Sequence, residues 1–353
     1  MNLAVVSLDL LEPLYIAFGW VMRVLYDLTG NFGVVIIIFT VLLRGLMIPL
    51  GINQQKSSIK QQALQGEIAE IQRLYPDDKA KQSQLQMELY KKHGASPLSG
   101  CLPAILQLVI IWPIFRIIQA PLIHVMNVTN ENIQAIGDFL FNLKNAAGNP
   151  LIDELTKNRV ITDNIPLINA LNGNSAAMAD VVNTGKLQLN QLINLDFLGM
   201  NLGLKPSYDP SVIFGADTWK LYLPLLIIPL LVVLTTLVQM RITRLTMPNR
   251  KKRAEDKERE KVNPARAGQT PEDKSESMMK SMNIIMPIFM LVTTFSMPAS
   301  MGLYWIIGNI MMILQSVLIY YLFTKKLEQA GNEQDEDKNK DTALKTETPT
   351  VQH

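Results

Sequence analysis

Residues 33–51 read GVVIIIFTVLLRGLMIPLG, and Arg44 is the only charge among them. A helix needs roughly 20 apolar residues to cross a hydrocarbon core of about 30 Å. This run has that length, and four more follow it, at 101–123, 219–240, 282–297 and 301–323. Apolar residues make up 48% of the 353-residue chain and charged ones 18%, and the charges lie in blocks between the runs. The chain therefore reads as an all-α membrane protein with five transmembrane helices. Pro103, Pro113, Pro121, Pro224 and Pro229 fall inside these runs. Spans tolerate proline where neighbouring helices or water satisfy the freed carbonyls.

The loops set an orientation. Segment 52–100 carries Lys56, Lys60, Arg73, Lys79, Lys81, Lys91 and Lys92. Segment 241–281 carries twelve basic residues, including the run Arg250, Lys251, Lys252 and Arg253. Segment 124–218 is longer than either but has only Lys144, Lys157, Arg159, Lys186 and Lys205. Basic loops stay cytoplasmic, so the N-terminus is expected outside and the C-terminus inside the cytoplasmic membrane.

Each remaining segment has its own expectation. Leu10, Leu14, Ala17, Val21, Leu25 and Leu28 recur at helical spacing, so residues 1–30 are expected to hold an amphipathic helix lying in the membrane interface. No basic residue precedes Arg23, while Asp9 and Glu12 do. That is unlike a secretory signal, and the start reads as part of the mature chain. In 52–100, Leu64, Ile68, Ile71 and Tyr75 share one face. Tyr75-Pro76-Asp77-Asp78 breaks the helix, and Met87 and Tyr90 share a side of a second one. This predicts a cytoplasmic helical hairpin. Segment 124–218 is expected to form an irregular, partly helical extracytoplasmic layer. Residues 254–277 and the tail 324–353 are polar and of low complexity, which predicts disorder.

Several functions are excluded. A net charge of +2 does not suit a nucleic-acid binder. Cys101 is the only cysteine, and His93, His124 and His353 are far apart. There is no disulfide framework, metal motif or nucleotide loop. No enzyme and no cofactor are expected.

Arg44 carries the most information. It stands about seven residues, or roughly 10 Å, from the cytoplasmic end of the first run. An arginine near a span centre costs about 2.5–3.5 kcal/mol, and no Asp or Glu occurs in any of the five runs to offset it. Two environments would hold it. It can snorkel to lipid phosphates, or it can face a hydrated cavity that attracts a polar or acidic segment of another molecule. Arg116, nearer the outer interface, reads as snorkelling. Thr40 lies one turn before Arg44, and Gln107, Asn309 and Gln315 supply polar groups on other runs. Such residues serve either as helix–helix contacts or as cavity lining. Met278, Met279, Met282, Met286, Met290, Met297, Met301, Met311 and Met312 cluster around the last two runs. They suit either gap-filling or an adaptable apolar surface. The fourth run is short, and mismatch of that kind thins a bilayer locally.

Four stretches resemble the YidC/Oxa/Alb family of membrane protein insertases. They are TVLLRGLMIPL from Thr40, QQKSSIKQQ from Gln54, SPLSGCLPAILQ from Ser96 and FSMPASMGLYWIIGNIMMILQ from Phe295. The stretch PLYIAFGWVMRVLYDLTGNFG from Pro13, with Leu195 to Ser207, is similar to the Gram-positive, clostridial-type branch with five spans and no large first external domain. The resemblance implies a hydrophilic groove open to the cytoplasm, with Arg44 as its functional charge and Thr40, Gln107, Asn309 and Gln315 as candidate groove residues. It implies nascent integral membrane proteins as partners, with the Sec translocon, translating ribosomes and membrane lipids as further ones, and no cofactor. Some members hold ribosomes with a strongly basic tail. Here the tail carries Glu328, Glu333, Asp335, Glu336 and Asp337 among its lysines. Two competing readings are a Sec-dependent chaperone without autonomous insertion and a solute transporter. A transporter would ordinarily show an internal repeat or a paired intramembrane charge, and neither is visible.

Overall fold

The computed structural model describes residues 3–94, 102–145, 148–216, 218–246 and 271–325. The chain divides into two compact units. One comprises Met1–Leu46, Pro103–Thr236 and Met286–Asn309, and the other Met47–Leu102, Leu237–Ile285 and Ile310–His353. The described residues are mostly helical, in agreement with the sequence reading.

In the first unit, α1 (Leu3–Thr29) leads into α2 (Phe32–Leu46). The sequence Thr29-Gly30-Asn31 makes this junction. Gly30 takes φ +63°, the left-handed conformation that ends helices, and its N–H bonds Tyr26 O at 2.7 Å. Asn31 then caps α2 by accepting from Val34 N at 3.2 Å. Tyr15, Gly19, Met22 and Tyr26 form the buried stripe of α1, while Ile16, Trp20, Val24 and Leu28 form an exposed one. Leu14, Val21 and Leu25 of the expected interfacial face are half-buried between these two stripes, and the buried stripe is the one that packs inside the protein. Its position is set by Gly19, where the missing Cβ admits the His124 carbonyl.

The break between α2 and α3 (Ile48–Ala63) falls at Met47, inside the run expected to continue to Gly51. Pro49 explains it, since a proline ring clashes with the carbonyl four residues earlier. The two helices make one candidate span if Phe32–Leu46 and Ile48–Gln54 are joined across the break. Trp219–Leu245 and Ala299–Leu322 are each long and apolar enough to span alone. Gln107–Gln119 and Ile284–Ser296 are shorter apolar helices.

The second unit contains α3, α4 (Gln65–Leu74) and α5 (Lys79–Lys92). Asp78 caps α5 by accepting from Lys81 N at 2.9 Å. Leu64, Ile68 and Leu89 form a small core with Ile71 and Tyr90 against it. Tyr75 and Met87, expected on the apolar faces, are exposed. Tyr75 has left the helix as its C-cap.

Next along the chain is α6 (Leu102–Gln119), which continues through Pro113, followed by the short α7 (Pro121–His124). The insert has a real hydrophobic core. It holds α8 (Asn130–Asn142), α9 (Glu154–Lys157), α10 (Ile165–Asn172) and α11 (Ser175–Asn183). Antiparallel strands β1 (Asp196–Phe197) and β2 (Met200–Asn201) follow. Thr129, Asp153 and Asn174 cap α8, α9 and α11. Ile133, Ile136 and Leu140, spaced three and four apart, are fully buried. Each such side chain contributes about 1.5–3 kcal/mol.

Backbone groups tie the insert to neighbouring helix ends of the first unit. Phe32 N donates to Asn194 O at 3.0 Å, and Asn164 N to Gln119 O at 3.0 Å. Ala299 N and Ser300 N donate to Leu204 O and Leu202 O, both at 2.9 Å. The remaining elements are α12 (Pro210–Ile213), α13 (Trp219–Tyr222), α14 (Ile227–Leu245), α15 (Pro271–Ser296) and α16 (Ala299–Ile319). Residues 271–277, expected to be disordered, are helical and belong to α15. The expectations for 247–270 and 326–353 lie outside the described residues.

Candidate functional site around Arg44

Thr40 and Arg44 are one turn apart on α2, and both are buried. The Thr40 hydroxyl donates to Ile36 O at 2.6 Å, which satisfies it within its own helix. Because α2 stops at Leu46, Arg44 stands in its last turn. There the unpaired carbonyl ends favour a cation by about 0.3–1 kcal/mol.

Arg44 is only 9% exposed. Its Nη1 donates to Gln107 Oε1 on α6 at 3.2 Å. Its Nε is buried with no partner among the described residues. None of the ion pairs among the described residues involves Arg44. Two residues of α16 complete the surroundings. The Tyr304 phenol lies beside both Arg44 and Gln107, without closing a well-formed hydrogen bond to either. Gly308, one turn further on, leaves room for the guanidinium: a Cβ there would lie 3.4 Å from Nη2.

The structure thus brings Arg44 and Gln107 into direct contact and adds Tyr304 and Gly308. Sequence reasoning missed these two. Their four-residue spacing puts them on one face of α16, but only packing shows which face that is. Asn309 does other work. Its Nδ2 donates to Thr235 Oγ1 at 3.1 Å and Thr236 Oγ1 at 2.9 Å, tying α16 to α14. Gln315 belongs to the second unit, where its amide occupies the space left by Gly51 on α3.

A guanidinium presents five N–H donors in a planar fork. Here a neutral amide holds one edge while a phenol and a glycine leave the fork its space. With no carboxylate bound to it among the described residues, such a group is chemically matched to a carboxylate or another polar acceptor brought from elsewhere.

The sequence profile of the family described as 60Kd inner membrane protein matches residues 24–326. The chain belongs to this family. It is accordingly an integral protein of the inner, or cytoplasmic, membrane. The match takes in both units and every residue named around Arg44.

Named relatives are similar over shorter stretches. A protein from Brucella suis named membrane protein insertase YidC is 37% identical over 107 residues, 30% of this chain and 17% of its own length. Proteins of the same name from Granulibacter bethesdensis and from a Shewanella species are each 40% identical, over 107 and 111 residues. These cover 30% and 31% of this chain and 18% and 20% of the relatives. The matches thus span about a fifth of the curated relatives.

Proposed function

We propose that this protein is a membrane protein insertase and chaperone. It inserts integral membrane proteins and helps them fold, alone or with the Sec translocon, and it is not an enzyme. Five spans surround a hydrophilic groove open to the cytoplasm. The N-terminus is outside, the C-terminus inside, and the chain is of the Gram-positive, clostridial-like type. Nascent membrane proteins are the substrates, and translating ribosomes and lipids are further partners.

One observation carries the reading. A buried arginine at the end of an apolar helix is held by a glutamine and lacks a carboxylate partner among the described residues. The names of the relatives support it. Arg44 receives the polar or acidic external segment of an incoming substrate, and Gln107 keeps the fork oriented. Burial of the substrate's own apolar span drives the step, so no nucleotide is needed.

The test is reconstitution of the purified chain alone in liposomes, with synthesis of a small single-span protein bearing a short acidic external segment. Protease protection scores insertion. The parent should exceed empty liposomes, and Arg44→Ala should lose most of that gain. A folded parent with no activity would overturn autonomous insertion in favour of a Sec-dependent chaperone.

A further inference from the structure

The turn between β1 and β2 consists of Leu198 and Gly199, with φ of +51° and +77°. Two left-handed central residues make the tight hairpin turn whose first position ordinarily takes Asn, Asp or Gly. Leucine is unfavourable there, because its Cβ crowds the next carbonyl. The side chain is also 82% exposed. A strained backbone and an uncovered apolar side chain coincide at one residue, and packing among the described residues compensates neither.

The surroundings of the hairpin supply the missing partner. Phe197 packs on Gly33, and Asn31 Nδ2 donates to Asp196 O at 2.6 Å, so β1 is fastened to the start of α2. β2 contacts the turn Pro224–Leu226, just before α14. The hairpin therefore sits at the level where two apolar helices begin. Trp219, Leu221 and Leu223, which lead into one of them, are exposed as well. A tryptophan at the mouth of a span marks the boundary between headgroups and acyl chains.

We propose that Leu198 is a lipid-inserting tip that seats the external insert on the outer leaflet. This rests on the reading of α2 and Trp219–Leu245 as spans. The occupant is lipid rather than protein because the feature is one exposed side chain at a hairpin tip, carried on the half-buried Phe197–Met200 pair with polar Asp196 and Asn201 behind it. A stable protein interface needs about 800 Å² from each partner, whereas acyl chains need no complementary shape. Immersion also repays the exposure of the leucine, which accounts for its presence at a position that otherwise favours asparagine.

The test uses the full chain with Cys101→Ser and one environment-sensitive fluorophore, attached through Leu198→Cys, Leu230→Cys or Asp180→Cys. Leu230 is an exposed residue of α14, and Asp180 an exposed residue of the insert. Each variant is reconstituted in phosphatidylethanolamine–phosphatidylglycerol vesicles and checked for the parent's thermal unfolding. Quenching by iodide is compared with quenching by a lipid nitroxide near the top of the acyl chain. Positions 198 and 230 should be quenched several-fold more by the nitroxide lipid, and position 180 more by iodide. Iodide quenching at 198, with 230 still lipid-quenched, overturns the tip and leaves the spans intact. Shielding of 198 from both quenchers overturns it in favour of a protein partner. Iodide quenching at 230 overturns the span reading and the tip with it.

Discussion

Gly308 stands where any larger side chain would meet Arg44: a Cβ on it would lie 3.4 Å from Nη2. Alanine fits at that distance and gains about 1 kcal/mol of helix propensity. Valine adds two methyls directed into the guanidinium's space. Gly308→Ala should therefore insert an acidic single-span substrate like the parent. Gly308→Val should insert it roughly ten- to a hundredfold more slowly, the size of effect expected when a charged hydrogen bond worth about 1.5–3 kcal/mol is lost. Initial rates of protease-protected product from liposomes check both.

Charge and shape at Arg44 are separable. Lysine keeps the charge but not the planar fork that Gln107 holds. Arg44→Lys should retain part of the activity, and Arg44→Glu should fall below Arg44→Ala for acidic segments. Equal insertion by all three, at equal expression, would leave Arg44 a helix-packing residue held by Gln107.

The Asn309 amide bridges two helices through Thr235 and Thr236. Both threonines also donate to carbonyls of their own helix, so removing Asn309 orphans neither hydroxyl. Asn309→Ala should cost only about 1 kcal/mol of thermal stability in detergent. A loss several times larger would mean that Asn309 supports more than this bridge.

At Gly19 two effects oppose each other. Alanine gains about 1 kcal/mol as a helix former, but its Cβ would overlap the His124 carbonyl. Backbone cannot yield as a side-chain tip can, and overpacking typically costs about 1–3 kcal/mol. Gly19→Ala should thus lower the unfolding midpoint of the intact chain, and Gly19→Leu should lower it further.

His124, stacked on Tyr15 with ring centroids 5.2 Å apart, is held at a pKa of about 4 by burial and secondarily by Arg116. An unfolded histidine takes up its proton near pH 6.5. Between pH 6.5 and about 4 the unfolded state therefore binds more protons, and stability should fall as pH falls through this window. Asp163 acts in the opposite sense, since burial raises its pKa against the pull of Lys205 and Arg159. His124→Phe keeps the ring and removes the proton. It should flatten the dependence of thermal stability on pH in the upper half of the window, above the carboxylate range.

Much of this could be read from one dimension. The apolar runs announce the helices, since lipid rewards uninterrupted apolar sequence. Thr29-Gly30-Asn31 announces a stop and a start, and Asp78 a cap, because these depend on neighbours in sequence. Pro49 is likewise plain in the sequence, and its clash with the preceding turn explains the break at Met47. The run of apolar residues across it concealed that break. The helix over 271–277 was obscured in the other direction, because polar composition dominates there.

The sequence alone determined the helical class, the apolar runs, the basic segments and the depth of Arg44 in a run, with no acidic residue in any of the runs to pair with it. All are properties of local composition and spacing. Tertiary structure decided what surrounds that arginine. Gln107, Tyr304 and Gly308 are 63, 260 and 264 positions away in the chain, and no periodicity connects residues on different helices. It likewise decided that Asn309 ties α16 to α14, that Gln315 packs against Gly51, and that Leu198 projects where two apolar helices begin. Those roles depend on which face each helix turns toward its neighbour, and packing across distant segments sets that orientation.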